Sequence, residues 1–119
     1  MQTSHPSPLD AARVAELTEI FGDAQSVREL FDEFFQELDP RLDTLRNGLA
    51  EGRPDLVDTA AHAIKGSSAN LGADAVRDCA RTVEELARAN QLQNVEPLLD
   101  RLENELTRLR AWIEQNGLS

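Results

Sequence analysis

The sequence predicts an all-α fold, an antiparallel up-down four-helix bundle with a short additional helix at its N-terminal end. Apolar residues recur at intervals of three and four along almost the whole chain, which is the period of an amphipathic helix. Leu and Ala supply most of the apolar residues, and both favour helices. The interruptions between the periodic segments are short, so we expect consecutive helices to run antiparallel.

The first two helices are separated by a Gly-Asp pair. Apolar residues after Pro8 predict a short helix that ends at Gly22, and Asp23 is suited to cap the helix that follows. The second segment has one apolar stripe whose phase is unbroken across Pro40. A proline inside a helix usually kinks the axis, so we expect one kinked helix rather than two. It ends in the stretch NGLAEGRP, which is rich in helix-breaking residues.

The remaining three helices are each bounded by residues that start or stop helices. The third begins near Pro54, an early position that proline tolerates, and Gly72 closes it. The fourth follows at once with Asp74 as its predicted cap, and it ends at Asn90. The fifth is predicted to start near Asn94, which is a good capping residue, and to continue to the end of the chain.

Length and composition indicate one domain and exclude several functions. The 119 residues fit a single bundle over residues 9–116, preceded by a flexible lead over residues 1–8. A net charge of −10 disfavours nucleic acid and anionic membranes as partners. One cysteine forms no internal disulfide, and no apolar run is long enough to span a bilayer. Since the N-terminus lacks the pattern of a signal peptide, we expect a cytoplasmic protein.

The third helix contains His62, the only histidine outside the N-terminal lead. At about 100° per residue, the apolar residues of this helix share one side, and His62 points roughly the opposite way. An exposed histidine without a role is the simplest interpretation of this residue taken alone. Two neighbours on the same face favour a functional site instead. Lys65, the sole lysine, and Gly66 follow three and four residues later.

Together these three residues are suited to hold a phosphoryl group. A neutral imidazole is a nucleophile, and a substantial fraction is neutral near pH 7. The ammonium of Lys65 would partly neutralise the charge of a phosphoryl group on His62. Gly66 weakens the helix by about 1 kcal/mol relative to Ala, but it leaves the ring accessible from one side. The alternative for Gly66 is tight packing against another helix.

The stretch HAIKGSSANLGA resembles the signature of the histidine-containing phosphotransfer (HPt) domain family. The resemblance extends from about residue 9 to 115. It implies a carrier that shuttles phosphoryl groups between aspartates of receiver domains and is not itself an enzyme. It also implies that His62 is the phosphoacceptor, Lys65 the phosphoryl-contacting cation and Gly66 the access residue. Family members usually react through the ring nitrogen that is far from the backbone.

Four further residues are candidates for a secondary role at the site. Asp58 lies one turn before His62 and is suited to hold the near ring nitrogen. Counting outward from the turn between the third and fourth helices places Glu84 level with His62, where it could hydrogen-bond the imidazole. Arg88 or Arg81 could supply a second cation. A solvated helix flank with ordinary ion pairs remains the alternative for the residues of the fourth helix.

The expected partners are response-regulator receiver domains, a hybrid sensor histidine kinase, or both. Small Ala69 and Ala73 should let such a partner approach closely. The sequence has no metal cluster and no phosphate-binding loop, so we expect no cofactor of its own and Mg²⁺ on the partner receiver. We expect a monomer. A helical adaptor or inhibitor that docks a signalling partner without phosphoryl chemistry remains the alternative function.

Overall fold

The computed structural model describes residues 8–118, which form five α-helices and one 3₁₀ turn, with no strand among them. The elements are α1 (Ala11–Phe21), α2 (Ala24–Glu51), α3 (Pro54–Leu71), α4 (Asp74–Arg88), the 3₁₀ turn (Leu92–Asn94) and α5 (Glu96–Gln115). The predicted helical bundle with a short N-terminal helix is therefore confirmed. Residues 1–7 of the predicted flexible lead, including His5, lie outside the described residues.

The short helix α1 is attached to the turn between α3 and α4. The Asp10 carboxylate caps α1 by accepting from the backbone N–H of Ala12, and the Asp10 N–H donates to the carbonyl of Gly72 at 2.9 Å. Arg13 Nε donates to the carbonyl of Asn70, also at 2.9 Å. Gly22 ends the helix in the left-handed conformation, with φ of 82°. These bonds hold α1 against one end of the α3–α4 hairpin.

Helix α2 is continuous across Pro40, as the unbroken apolar stripe predicts. The Asp23 side chain caps it by accepting from the N–H of Ser26 at 2.7 Å. Its buried side contributes Phe31 and Leu45 to the core. The core continues through Ile64 of α3 and the leucines of α5. Among residues 8–118, no helix combines the length and apolar character that crossing a bilayer requires.

Two predicted helix caps are wrong. Asp74 is the first residue of α4 rather than its cap, and its carboxylate pairs with Arg77 at 3.2 Å. An acidic residue in the first turn still favours the helix through the macrodipole. Asn94 ends the 3₁₀ turn, and α5 begins two residues later at Glu96. The shift places Pro97 in the first turn of α5, where its missing N–H costs no hydrogen bond.

Candidate functional site

His62 projects from the outer face of α3. The opposite face is packed into the core by buried residues at helical spacing, namely Val57, Ala60, Ala61, Ile64, Ser68 and Leu71. The side chain of His62 is 63% exposed, so the ring points outward as the periodicity predicts. The packing of α3 therefore fixes the direction of the imidazole, while the ring itself stays accessible.

One nitrogen of the His62 ring is fixed by an acid from the neighbouring helix. Nδ1 lies 2.6 Å from Oε2 of Glu84, which α4 brings level with His62. A carboxylate only accepts, so Nδ1 donates its proton to it. In the neutral ring this leaves the lone pair on Nε2. Among the described residues, none hydrogen-bonds to Nε2, so the lone pair lies on the ring nitrogen that Glu84 does not hold.

Glu84 is buried yet charged. Its side chain is only 2% exposed, which excludes for Glu84 the alternative of a solvated helix flank. Burial by itself raises the pKa of the Glu84 carboxyl, but hydrogen bonds from Lys65 and His62 and the charges of Lys65 and Arg88 outweigh it and lower the pKa. Lys65 Nζ lies 2.6 Å from Oε1, and an Arg88 terminal nitrogen lies 2.8 Å from Oε2. The carboxylate is thus a common acceptor for three donors.

Asp58 does not hold the imidazole. The structure assigns that contact to Glu84, because the α3–α4 hairpin places Glu84 directly behind the ring. The Asp58 carboxylate instead lies 3.2 and 3.3 Å from Nε of Arg88. A shallow depression of about 250 Å³, which we call the His62 hollow, is lined by Asp58, Thr59, His62 and Arg88.

Of the two arginines predicted as possible second cations, only one lies at the site around His62. Arg88 joins the site through Glu84 and Asp58 and is 59% exposed. Arg81 pairs with Asp78 at 3.5 Å and lines a groove between α4 and α5 instead. Arg81 is therefore not part of the site around His62, because it lies farther round α4 toward α5.

The face around His62 is open at Gly66. A Cβ atom built there meets nothing within 4 Å, which excludes the alternative that Gly66 serves tight helix packing. Ala69 is exposed on the same face. Ala73 is fully buried, so the prediction that it contributes to a docking surface is wrong. Ala73 lies between α3 and α4, and its N–H donates to the carbonyl of Ser68 at 2.9 Å, which turns it inward.

Sequence reasoning missed two features of the site, the burial of Glu84 and the pairing of Asp58 with Arg88. The equal count from the α3–α4 turn placed Glu84 at the right level along the helix. No sequence signal gave its rotation toward α3. The Asp58–Arg88 pair joins residues 30 positions apart, and the same count would have placed these two residues level as well.

Comparisons with known proteins agree with this geometry. The family model described as Hpt domain matches residues 29–112. The crystal structure of histidine-containing phosphotransfer protein B (HptB) from Pseudomonas aeruginosa PAO1 is similar to this chain, with 31% sequence identity and a TM-score of 0.86. That alignment covers 95% of this chain and 96% of the other. A search of curated proteins found no match.

Proposed function

This chain belongs to the Hpt domain family, and we propose that it is a phosphorelay intermediate that accepts a phosphoryl group on His62 from a receiver-domain aspartate and passes it to another receiver. Members of this family have a histidine phosphotransfer role in signalling, as carriers rather than catalysts. In two-component systems they interact with receiver domains and kinases. The observation that carries the proposal is the hydrogen bond between His62 Nδ1 and buried Glu84, which leaves Nε2 exposed.

In the proposed step, the lone pair of Nε2 attacks the phosphorus of an aspartyl phosphate on the receiver. The N–P bond forms as the P–O bond to the aspartate breaks, and the electron pair of that bond leaves on the receiver carboxylate. The ring proton remains on Nδ1, where Glu84 stabilises the positive charge that develops on the imidazole. The reverse reaction with a second receiver unloads the group. No proton has to move in either direction.

The bundle contributes position and charge to this step. Phosphoryl transfer depends mainly on alignment and on electrostatic stabilisation. The fixed ring supplies alignment, and the open backbone at Gly66 supplies access. Lys65 is 30% exposed and lies three residues from His62, so its ammonium can turn from Glu84 toward a phosphoryl on Nε2. Arg88 is the second cation of the proposal.

The receiver domains proposed as donor and acceptor supply the remaining electrostatic stabilisation. Mg²⁺ is proposed to belong to the receiver, where it would neutralise the phosphoryl oxygens. Ala69, exposed on the same face of α3 two turns after His62, is the part of the predicted docking surface that remains in the proposal. The proposed working form is a monomer in the cytoplasm, since one bundle contains every residue of the site.

The test is transfer of a radioactive phosphoryl group from a phosphorylated receiver domain. We expect a label that survives base, is lost in acid and is absent from His62→Gln. The matched control is His5→Gln, which removes the only other histidine and should keep the label. A label that persists in His62→Gln would contradict the proposal. If the wild-type protein binds the receiver but takes no label, the adaptor function is the better account.

A further inference from the structure

Arg88 is shared between two carboxylates beside the phosphoacceptor. Its Nε lies 3.2 and 3.3 Å from the two oxygens of Asp58, and a terminal nitrogen lies 2.8 Å from Glu84. Glu84 also accepts from Lys65 and His62, whereas the described contacts of the Asp58 carboxylate are with Arg88 alone. The guanidinium therefore lines the His62 hollow while it is already paired with two carboxylates.

A phosphoryl group on Nε2 changes this balance. It brings about two negative charges to a ring that borders the same hollow. Asp58 lies four residues before His62 on the same helix face, about 6 Å along the axis. The new dianion and Asp58 would repel each other, and both would compete for the one guanidinium. The more firmly Asp58 holds Arg88, the less stable the loaded state becomes.

We propose that Asp58 sets the transfer potential of the phosphohistidine by holding Arg88 away from the phosphoryl group. This inference rests on the proposed function. Asp58 is a positioning residue in it, since the described hydrogen bonds of its carboxylate are with Arg88 and it acts through that guanidinium. Its effect is to keep the loaded histidine a ready donor, so that the phosphoryl moves on to the next aspartate instead of accumulating on the carrier.

The first test measures the equilibrium of phosphoryl exchange between this protein and a receiver domain that exchanges with the wild type. Asp58→Asn should shift the ratio toward phosphorylated carrier by about fivefold. This corresponds to the upper end of the free energy that one partly exposed ion pair contributes. The matched control is Asp55→Asn, which removes the same charge from the same helix about 10 Å from His62. At that distance screening leaves little effect at physiological salt. Equal shifts in the two variants would overturn the proposal.

A double-mutant cycle separates the action through Arg88 from simple repulsion. In an Arg88→Gln background, Asp58→Asn should produce much less than its fivefold shift, because no guanidinium remains to be released. A shift of the same size in both backgrounds would show that Asp58 acts directly on the phosphoryl, against the proposal. Circular dichroism and thermal melts of each variant check that the bundle is intact.

A second measurement needs no receiver. Phosphoramidate is a small-molecule donor for histidine, and the loading of His62 can be followed by ³¹P NMR with His62→Gln as the blank. The ¹⁵N–¹H resonance of Arg88 Nε should move on loading, and move further in Asp58→Asn. A resonance that stays in place while His62 is loaded would overturn this inference and leave the proposed function standing. Absence of any phosphoryl on His62, from phosphoramidate or from receivers, would instead remove the proposed function.

Discussion

Oε2 of Glu84 lies 2.6 Å from Nδ1 of His62, and the two side chains differ sharply in exposure, at 2% and 63%. The contact joins a buried carboxylate on α4 to an exposed ring on α3. The α3–α4 packing therefore sets the ring orientation from behind, while the opposite nitrogen meets solvent. A phosphoryl carrier needs this combination, because its nucleophile must be oriented yet reachable by a second protein.

Glu84→Gln should weaken the site without removing the side chain. The amide offers one acceptor oxygen, whereas the carboxylate accepts from three donors. Its NH₂ group would face the donors of Lys65 or Arg88, so at least one contact is lost. We expect phosphoryl acceptance to slow about tenfold, equivalent to about 1.4 kcal/mol in the barrier. Single-turnover transfer from a phosphorylated receiver measures the rate, and ¹⁵N NMR of the ring reports the tautomer.

The adjacent Glu85 provides the matched control for this variant. It is exposed, and Glu85→Gln changes the net charge by the same amount. We expect wild-type transfer and an unchanged ring tautomer in that control. If Glu84→Gln transfers as fast as Glu85→Gln and keeps Nδ1 protonated, the carboxylate is not needed to prepare the ring.

Glu84 should also make the stability of the bundle depend on pH. Its folded-state pKa is lowered below the ordinary value of 4.5, despite burial, by its donors Lys65 and His62. The unfolded chain therefore binds more protons as pH falls through this range. The contribution of Glu84 is complete above about pH 4.5 and is lost below it, as pH falls through the folded pKa.

The measurement is the free energy of unfolding from denaturant titrations at pH values between 7 and 3, for the wild type and Glu84→Gln. Carboxyls that share no partner with Glu84 titrate alike in both proteins and cancel in the difference. We expect the advantage of the wild type to be constant near neutrality and to shrink in acid. A difference that grows in acid would mean that the folded-state pKa of Glu84 is raised instead.

The fold was more predictable from the sequence than the contacts within the site. Helical periodicity fixed the outward direction of His62 and the continuity of α2 across Pro40, since both follow from spacing along one helix. The burial of Glu84 depends on how α4 rotates against α3, and that rotation is decided by core packing between helices. The prediction that Ala73 belongs to the docking surface is wrong for a related reason. Ala73 lies one residue past the Gly72 turn, where the backbone no longer follows the helical period.

Lys65→Ala should slow transfer while the histidine remains reactive. The Lys65 ammonium is proposed to turn from Glu84 toward the phosphoryl group. A charge-assisted hydrogen bond of this kind contributes about 1.5–3 kcal/mol. We expect a loss of roughly tenfold or more in the transfer rate. Lys65→Arg keeps the charge and should recover part of it, although its planar fork differs in geometry from an ammonium. Quenched-flow transfer from a labelled receiver measures both variants, and equal rates in Lys65→Ala and wild type would exclude Lys65 from the reaction.

Gly66→Ala should separate stability from function. A Cβ atom at this position meets nothing within 4 Å, so the variant should gain up to about 1 kcal/mol of helix stability. Transfer should nevertheless slow, because the added methyl occupies the side from which a receiver reaches the ring. Gly48→Ala is the matched control, since its Cβ would lie 2.9 Å from Cγ2 of Val57 and should destabilise the bundle by about 1–3 kcal/mol. The melting temperatures of the two variants should therefore move in opposite directions. A Gly66→Ala protein that transfers at the wild-type rate would show that this open side is not used.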